Sequence, residues 1–131
     1  MSLYESNYVR LASLAGDVAD GAAERRSCVA GDCDLLLNVV ERSRYTTTLH
    51  LTYLLPGPPT AGLLERFPDL RLRVYSDARL AEALQVEGGG AHPALRSLHS
   101  RRERELHQCW TLNMMLNKWL EYCMERGHQF V

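Results

Sequence analysis

Polar and apolar positions along the first sixteen residues follow a helical period. Tyr4, Tyr8, Leu11 and Ala15 recur every three to four residues. Ser2 with Glu5 three residues on forms a capping box, and Gly16 is placed to stop the helix. An amphipathic helix over residues 3–15 is therefore predicted, followed by a small, polar connector over 17–24. The period then changes to two. Cys33, Leu35, Leu37 and Val39 alternate with Asp34 and Asn38, and Gly31-Asp32 suits a turn from an earlier strand at 25–30. Residues 44–54 alternate most clearly. Tyr45, Leu49, Leu51 and Tyr53 form an apolar face, and Arg44, Thr46, Thr48, His50 and Thr52 a polar one, as in an antiparallel sheet with one solvated side.

Pro56-Gly57-Pro58-Pro59 ends that strand because proline has no N–H for a ladder. Leu63, Leu64 and Phe67 suggest a short helical turn before Pro68. Leu70, Leu72 and Val74, alternating with Arg71, Arg73 and Tyr75, give another half-buried strand. Residues 78–86 fit two elements. As a helix, Asp77 would cap it and the alanines would favour it. As a strand, the preferred reading, Leu80, Leu84 and Val86 would face the core, together with Glu82, after a turn at Ser76-Asp77. Gly88-Gly89-Gly90 breaks the pattern, and the chain to Leu98 reads as loop. From Ser100 the helical period returns, with Ser100 and Glu103 as a second capping box, and runs to Gly127. Leu106, Trp110, Leu112, Met114, Leu116, Trp119, Leu120, Cys123 and Met124 span more than half the circumference, so this helix needs cover on two sides. The fold class expected is α+β: an antiparallel sheet of four to five strands with an N-terminal helix and a long C-terminal helix on one face, in a single domain.

Composition narrows the function classes. A chain of 131 residues can bury a core without metal or disulfide staples, and 46% hydrophobic with 24% charged residues is ordinary for a globular protein. A net charge of −1 with interspersed signs argues against a polyanion as the dominant partner, so nucleic acid is not expected. The start shows no basic segment followed by an apolar run, and the apolar runs are far too short to span a bilayer. Cys28, Cys33, Cys109 and Cys123 include no Cys-x-x-Cys pair and read as free thiols of a cytoplasmic protein.

Several strings carry a family resemblance: Val40-Glu41-x-x-x-Tyr45-Thr46-Thr47-Thr48, Val74-Tyr75-x-Asp77-Ala78-Arg79-x-Ala81-Glu82, Leu112-Asn113-x-x-Leu116-x-x-Trp119-Leu120-x-x-Cys123, and Gly127-His128. Together they resemble the bacterial domain of unknown function 1249 family over most of the chain. The resemblance implies a cytoplasmic protein with no established activity. The family's segment of the type Tyr-Pro…Met-His-Gln-x-Asp-Glu-Lys has no full counterpart. Here stand His92-Pro93, Leu98-His99 and Leu106-His107-Gln108, with an arginine-rich run between.

No constellation reaches an assigned reaction. Histidines at 92, 99 and 107 lack the short paired spacing of zinc ligands, and Cys109 and Cys123 read as small hydrophobes on one helical face, so neither metal nor cofactor is expected. There is no Gly-x-Ser-x-Gly elbow, and the glycine run lacks the Lys-Ser/Thr of a phosphate loop. Three features remain. Glu82, if buried, requires a partner such as Arg44 or an arginine of the 101–104 run. Asn113 and Asn117, centred in the apolar arc, must bond a strand edge or loop backbone, or line a pocket. The polar sheet face combines Thr46, Thr48, His50 and Thr52 with Arg71, Arg73 and Tyr75. The sequence thus reads as a non-catalytic binding or adaptor module, a homodimer or the partner of another protein. The alternative is a small ligand-binding protein or enzyme acting on an anionic metabolite through Arg44, Arg71, Arg73, His50 or His99.

Overall fold

The computed structural model describes residues 1–56, 64–86 and 101–130. Helix α1 (Leu3–Ala15) starts where the Ser2 hydroxyl accepts the Glu5 N–H at 3.2 Å, and stops at Gly16, whose φ of 66° is the left-handed conformation that favours glycine. Five strands follow in sequence order: β1 (Glu24–Ser27), β2 (Asp34–Arg42), β3 (Thr46–Pro56), β4 (Leu64–Tyr75) and β5 (Leu80–Val86). They pair as a simple antiparallel meander, β1-β2-β3-β4-β5. Helix α2 (Arg101–Glu125) closes the fold, with Gly127 at φ 89° just beyond it.

Leu35, Leu37, Leu49, Leu51, Leu70, Leu72 and Val74 project from one sheet face against Leu11 and Leu14 of α1 and Leu116, Leu120 and Cys123 of α2. Both helices therefore lie on that side, and the chain is the α+β arrangement expected. Phe130, buried, donates its N–H to the Leu14 carbonyl at 2.8 Å and so ties the C-terminal tail to α1.

Four local expectations are corrected. Leu64 and Phe67 belong to β4 rather than to a helical turn, because residues 64–66 pair with the end of β3. Tyr45 precedes β3 and is 51% exposed, with the Arg44 guanidinium 5.1 Å from its ring centre. Trp110 and Met124, placed by periodicity in the buried arc of α2, are exposed, as is Cys109. In β5 residues 80–83 are oriented opposite to the expectation, and a register shift further along brings Val86 opposite Leu70. Ala81 and Ala83 face the core, and Glu82 lies on the other face opposite Arg73. The physical reason is close approach: α1 and α2 both bond the β5 backbone through side-chain amides, and the single methyl of alanine suits that close approach. The expectations on His92, His99 and Gly88-Gly89-Gly90 fall outside the described residues.

Candidate functional site

Three polar groupings hold the residues with chemistry, and two of them are buried. In the first, Asn113 of α2 treats the free edge of β5 as a neighbouring strand would. Its Oδ1 accepts the Ala83 N–H at 2.8 Å, and its Nδ2 donates to the Ala83 carbonyl at 3.4 Å and to the Cys109 carbonyl at 2.8 Å. Asn7 of α1 donates to Asn113 Oδ1 at 3.2 Å and to the Ala81 carbonyl at 3.3 Å. Asn117 then donates to Asn7 Oδ1 at 3.0 Å and to Ser6 Oγ at 2.9 Å. Asn113 is 1% exposed, so it is separated from the other candidate site residues and caps a sheet edge that no further strand pairs among the described residues.

The second grouping was not legible in the sequence. His128, whose side chain is fully buried, places Nδ1 3.0 Å from Ser27 Oγ and Nε2 2.9 Å from Asp32 Oδ2. Tyr53 donates its hydroxyl to the same Asp32 oxygen at 2.7 Å, and Arg126 Nε lies 3.6 Å from it. Ser27 Oγ also accepts the Gln129 N–H at 3.0 Å. Burial alone would raise the Asp32 pKa, but the bonds from Tyr53, the Cys33 N–H and His128 outweigh it and hold the carboxyl below its ordinary value. Burial is also the main reason the Cys123 thiol beneath Tyr53 is pushed up to about 12, which leaves it unreactive at neutral pH. Serine, histidine and aspartate are the side chains of a nucleophilic triad, but here the serine is 4% exposed and its oxygen already accepts a backbone N–H. The set pins residues 126–130 to the β1–β2 turn and presents no nucleophile.

The third grouping occupies the sheet face that neither helix covers. A bulge between Val39 and Glu41 shifts the alternation of β2 by one, so Glu41 comes to stand opposite Thr48 on this face. Arg42 is turned to the other side, where it bonds the carbonyls of Val18, Asp20 and Gly21. Thr48 pairs with Arg73, and Arg73 with Glu82, making one cross-strand row: Glu41, Thr48, Arg73, Glu82. Beside it, His50 pairs with Arg71, and His50 Nδ1 is 3.4 Å from Asp69 Oδ1, which also accepts the Thr52 hydroxyl at 2.8 Å. Tyr75 donates to Glu82 Oε1 at 2.6 Å, which, with partial burial, raises the tyrosine pKa. This face is less wet than its alternation suggests: Thr48 and Thr52 are 4% and 2% exposed, and Leu36, opposite Thr52, is buried as well. The Arg71 side chain makes no hydrogen bond or ion pair among the described residues, and its Nε is buried without an acceptor.

Glu41, Ser43, Thr46, Thr48, Arg73 and Tyr75 line a shallow hollow of about 270 Å³ on this face. A wider depression beside residues 15–22 contains Arg25, but that guanidinium is already spent on the carbonyls of Ala15, Asp20 and Ala22. Of the candidate residues, Thr46, Thr48, His50, Arg71, Arg73, Tyr75 and Glu82 are brought together here. Arg44 stands at the hairpin rim. Among the described residues no three His, Cys, Asp or Glu side chains gather as metal ligands, and no helix is long and apolar enough to cross a membrane.

An antiparallel meander backed on one face by two helices, with a shallow polar hollow on the face that neither helix covers, defines the class: an α+β protein. The chain belongs to the DUF1249 family of proteins of unknown function, whose model matches residues 10–129, from within α1 to the C-terminal tail. No curated protein and no solved structure matches it.

Proposed function

We propose that the protein is a non-catalytic, cytoplasmic binding module whose working surface is the open face of the sheet. The observation that carries this is the hollow between β2, β3 and β4, where hydroxyls, a guanidinium and a carboxylate keep unspent hydrogen-bonding capacity. The free state of all four cysteines supports the reducing compartment. The runner-up, an enzyme or carrier for an anionic metabolite, fits less well. Carboxylates of Glu41, Asp69 and Glu82 alternate with the cations of the face, so a purely anionic ligand gains little net attraction.

The test is native mass spectrometry of the protein isolated from its own cells, comparing wild type with Arg73→Glu and with Lys118→Glu on α2. Wild type and Lys118→Glu retain a bound species, and Arg73→Glu loses it. Equal retention by all three, or no bound species on any, contradicts the proposal.

A further inference from the structure

The geometry points to a ligand that carries an ammonium and a carboxylate, held across the hollow by Glu41 at one end and Arg73 at the other. This rests on the open face being the binding surface and specifies what it binds. Glu41 and Arg73 lie two strands apart in one row, with Thr48 between them, so their backbones are about 10 Å apart. Both line the same hollow, yet among the described residues neither forms an ion pair with the other or with any third group. Glu82, the other acid beside Arg73, accepts the Tyr75 hydroxyl instead. Arg73 touches Tyr75 but keeps donors to spare, since a guanidinium carries five N–H groups. The floor between the two charges is hydroxyl: Ser43, Thr46 and Thr48, groups that both donate and accept.

Such a row discriminates by sign. A pure anion is drawn to Arg73 and repelled by Glu41, and a pure cation meets the reverse. A molecule with opposite charges at its two ends satisfies both and leaves the amide or hydroxyl groups between them over the threonines. A volume of about 270 Å³ suits a small dipolar molecule or the end of a larger one.

Titration of the full chain with glycylglycine, followed by amide ¹H–¹⁵N spectra, tests this against inorganic phosphate and ethylenediamine as single-sign probes. Glycylglycine shifts the amides of Glu41, Thr48 and Arg73 saturably, and binds about tenfold or more tightly than either single-sign probe, the worth of one charge-assisted contact. Arg73→Glu removes that saturable shift, and the double swap Glu41→Arg with Arg73→Glu restores it, because the row again offers one charge of each sign. Phosphate binding as well as glycylglycine, no shift with glycylglycine, or no restoration in the swap overturns the inference. None of these results moves the capture experiment on Arg73→Glu and Lys118→Glu, which separately decides whether the face binds at all.

Discussion

Replacing Asn113 with alanine is expected to be among the most damaging single changes in α2, although it removes no apolar contact. Three losses follow. The Ala83 N–H, on a residue 4% exposed, loses its 2.8 Å acceptor, and a buried donor left unpaired costs about 1–3 kcal/mol. The Ala83 and Cys109 carbonyls lose a shared donor, and Asn7 Nδ2 loses one of its two acceptors. The vacated volume beside Ala81 and Ala83 adds a smaller packing term. Together these come to about 2–4 kcal/mol, a large fraction of the ~5–15 kcal/mol that holds a domain of this kind. Urea denaturation followed by far-ultraviolet circular dichroism reads this out. At a slope of roughly 2 kcal/mol per molar, the midpoint falls by about 1–2 M. Met115→Ala, on the exposed side of the same helix, serves as control and should shift it by no more than about 0.3 M. A double-mutant cycle with Asn7→Ala should show coupling of about 0.5–3 kcal/mol, since the two amides share a bond. An Asn113→Ala midpoint within error of the Met115→Ala control would refute the idea that this amide completes the sheet edge.

Other outcomes follow from the same structure. The folded Asp32 carboxyl lies below its unfolded pKa, so its stabilisation is present above about pH 4 and lost as pH falls through the folded value; Asp32→Asn therefore lowers the melting temperature at pH 7 and flattens its decline under acid, and an unchanged acid limb contradicts the role assigned to Asp32. Ala81→Leu, at a site with no exposure between β5 and the helices, should cost about 1–3 kcal/mol or more by overpacking, measured by the same urea titration. Gly127→Ala meets no atom within 4 Å but forces a left-handed φ of 89°, a backbone penalty of about 1 kcal/mol detectable as a small drop in melting temperature. Arg73→Glu, by contrast, should change stability by less than about 0.5 kcal/mol while abolishing capture of the bound species.

Where one face of an element meets the core, its period was visible in the sequence. The Ser2–Glu5 cap, the stops at Gly16 and Gly127, and the alternation of Leu49, Leu51 and Tyr53 all follow from local chemistry and one-sided burial. The errors arise where tertiary contact overrides period. Leu80 and Leu84 look like the buried side of β5, but the side-chain amides of Asn7 and Asn113 must reach its backbone, so the alanines turn inward and Glu82 outward. Glu41 reaches the open face through a bulge that no alternation announces. The His128 set was invisible for another reason. Ser27 and Asp32 sit about a hundred residues before their partner, and Asp32 reads as an ordinary turn residue. The pairing of Gly127 with His128 was the one local trace. The open face was more legible, since Thr46, Thr48, His50, Arg71, Arg73 and Tyr75 share a parity within their strands, and the register brought them side by side.

Hydroxyl-radical footprinting inside the source cells, compared with the purified protein, measures most directly which surface is occupied. If the solvated side of the sheet is where the protein works, oxidation of Tyr75 and His50 falls in the cell while Met115 and Tyr122 on α2 are modified equally in both settings. Protection of Met115 and Tyr122 with Tyr75 and His50 unaltered would place the working surface on the helices and contradict the account.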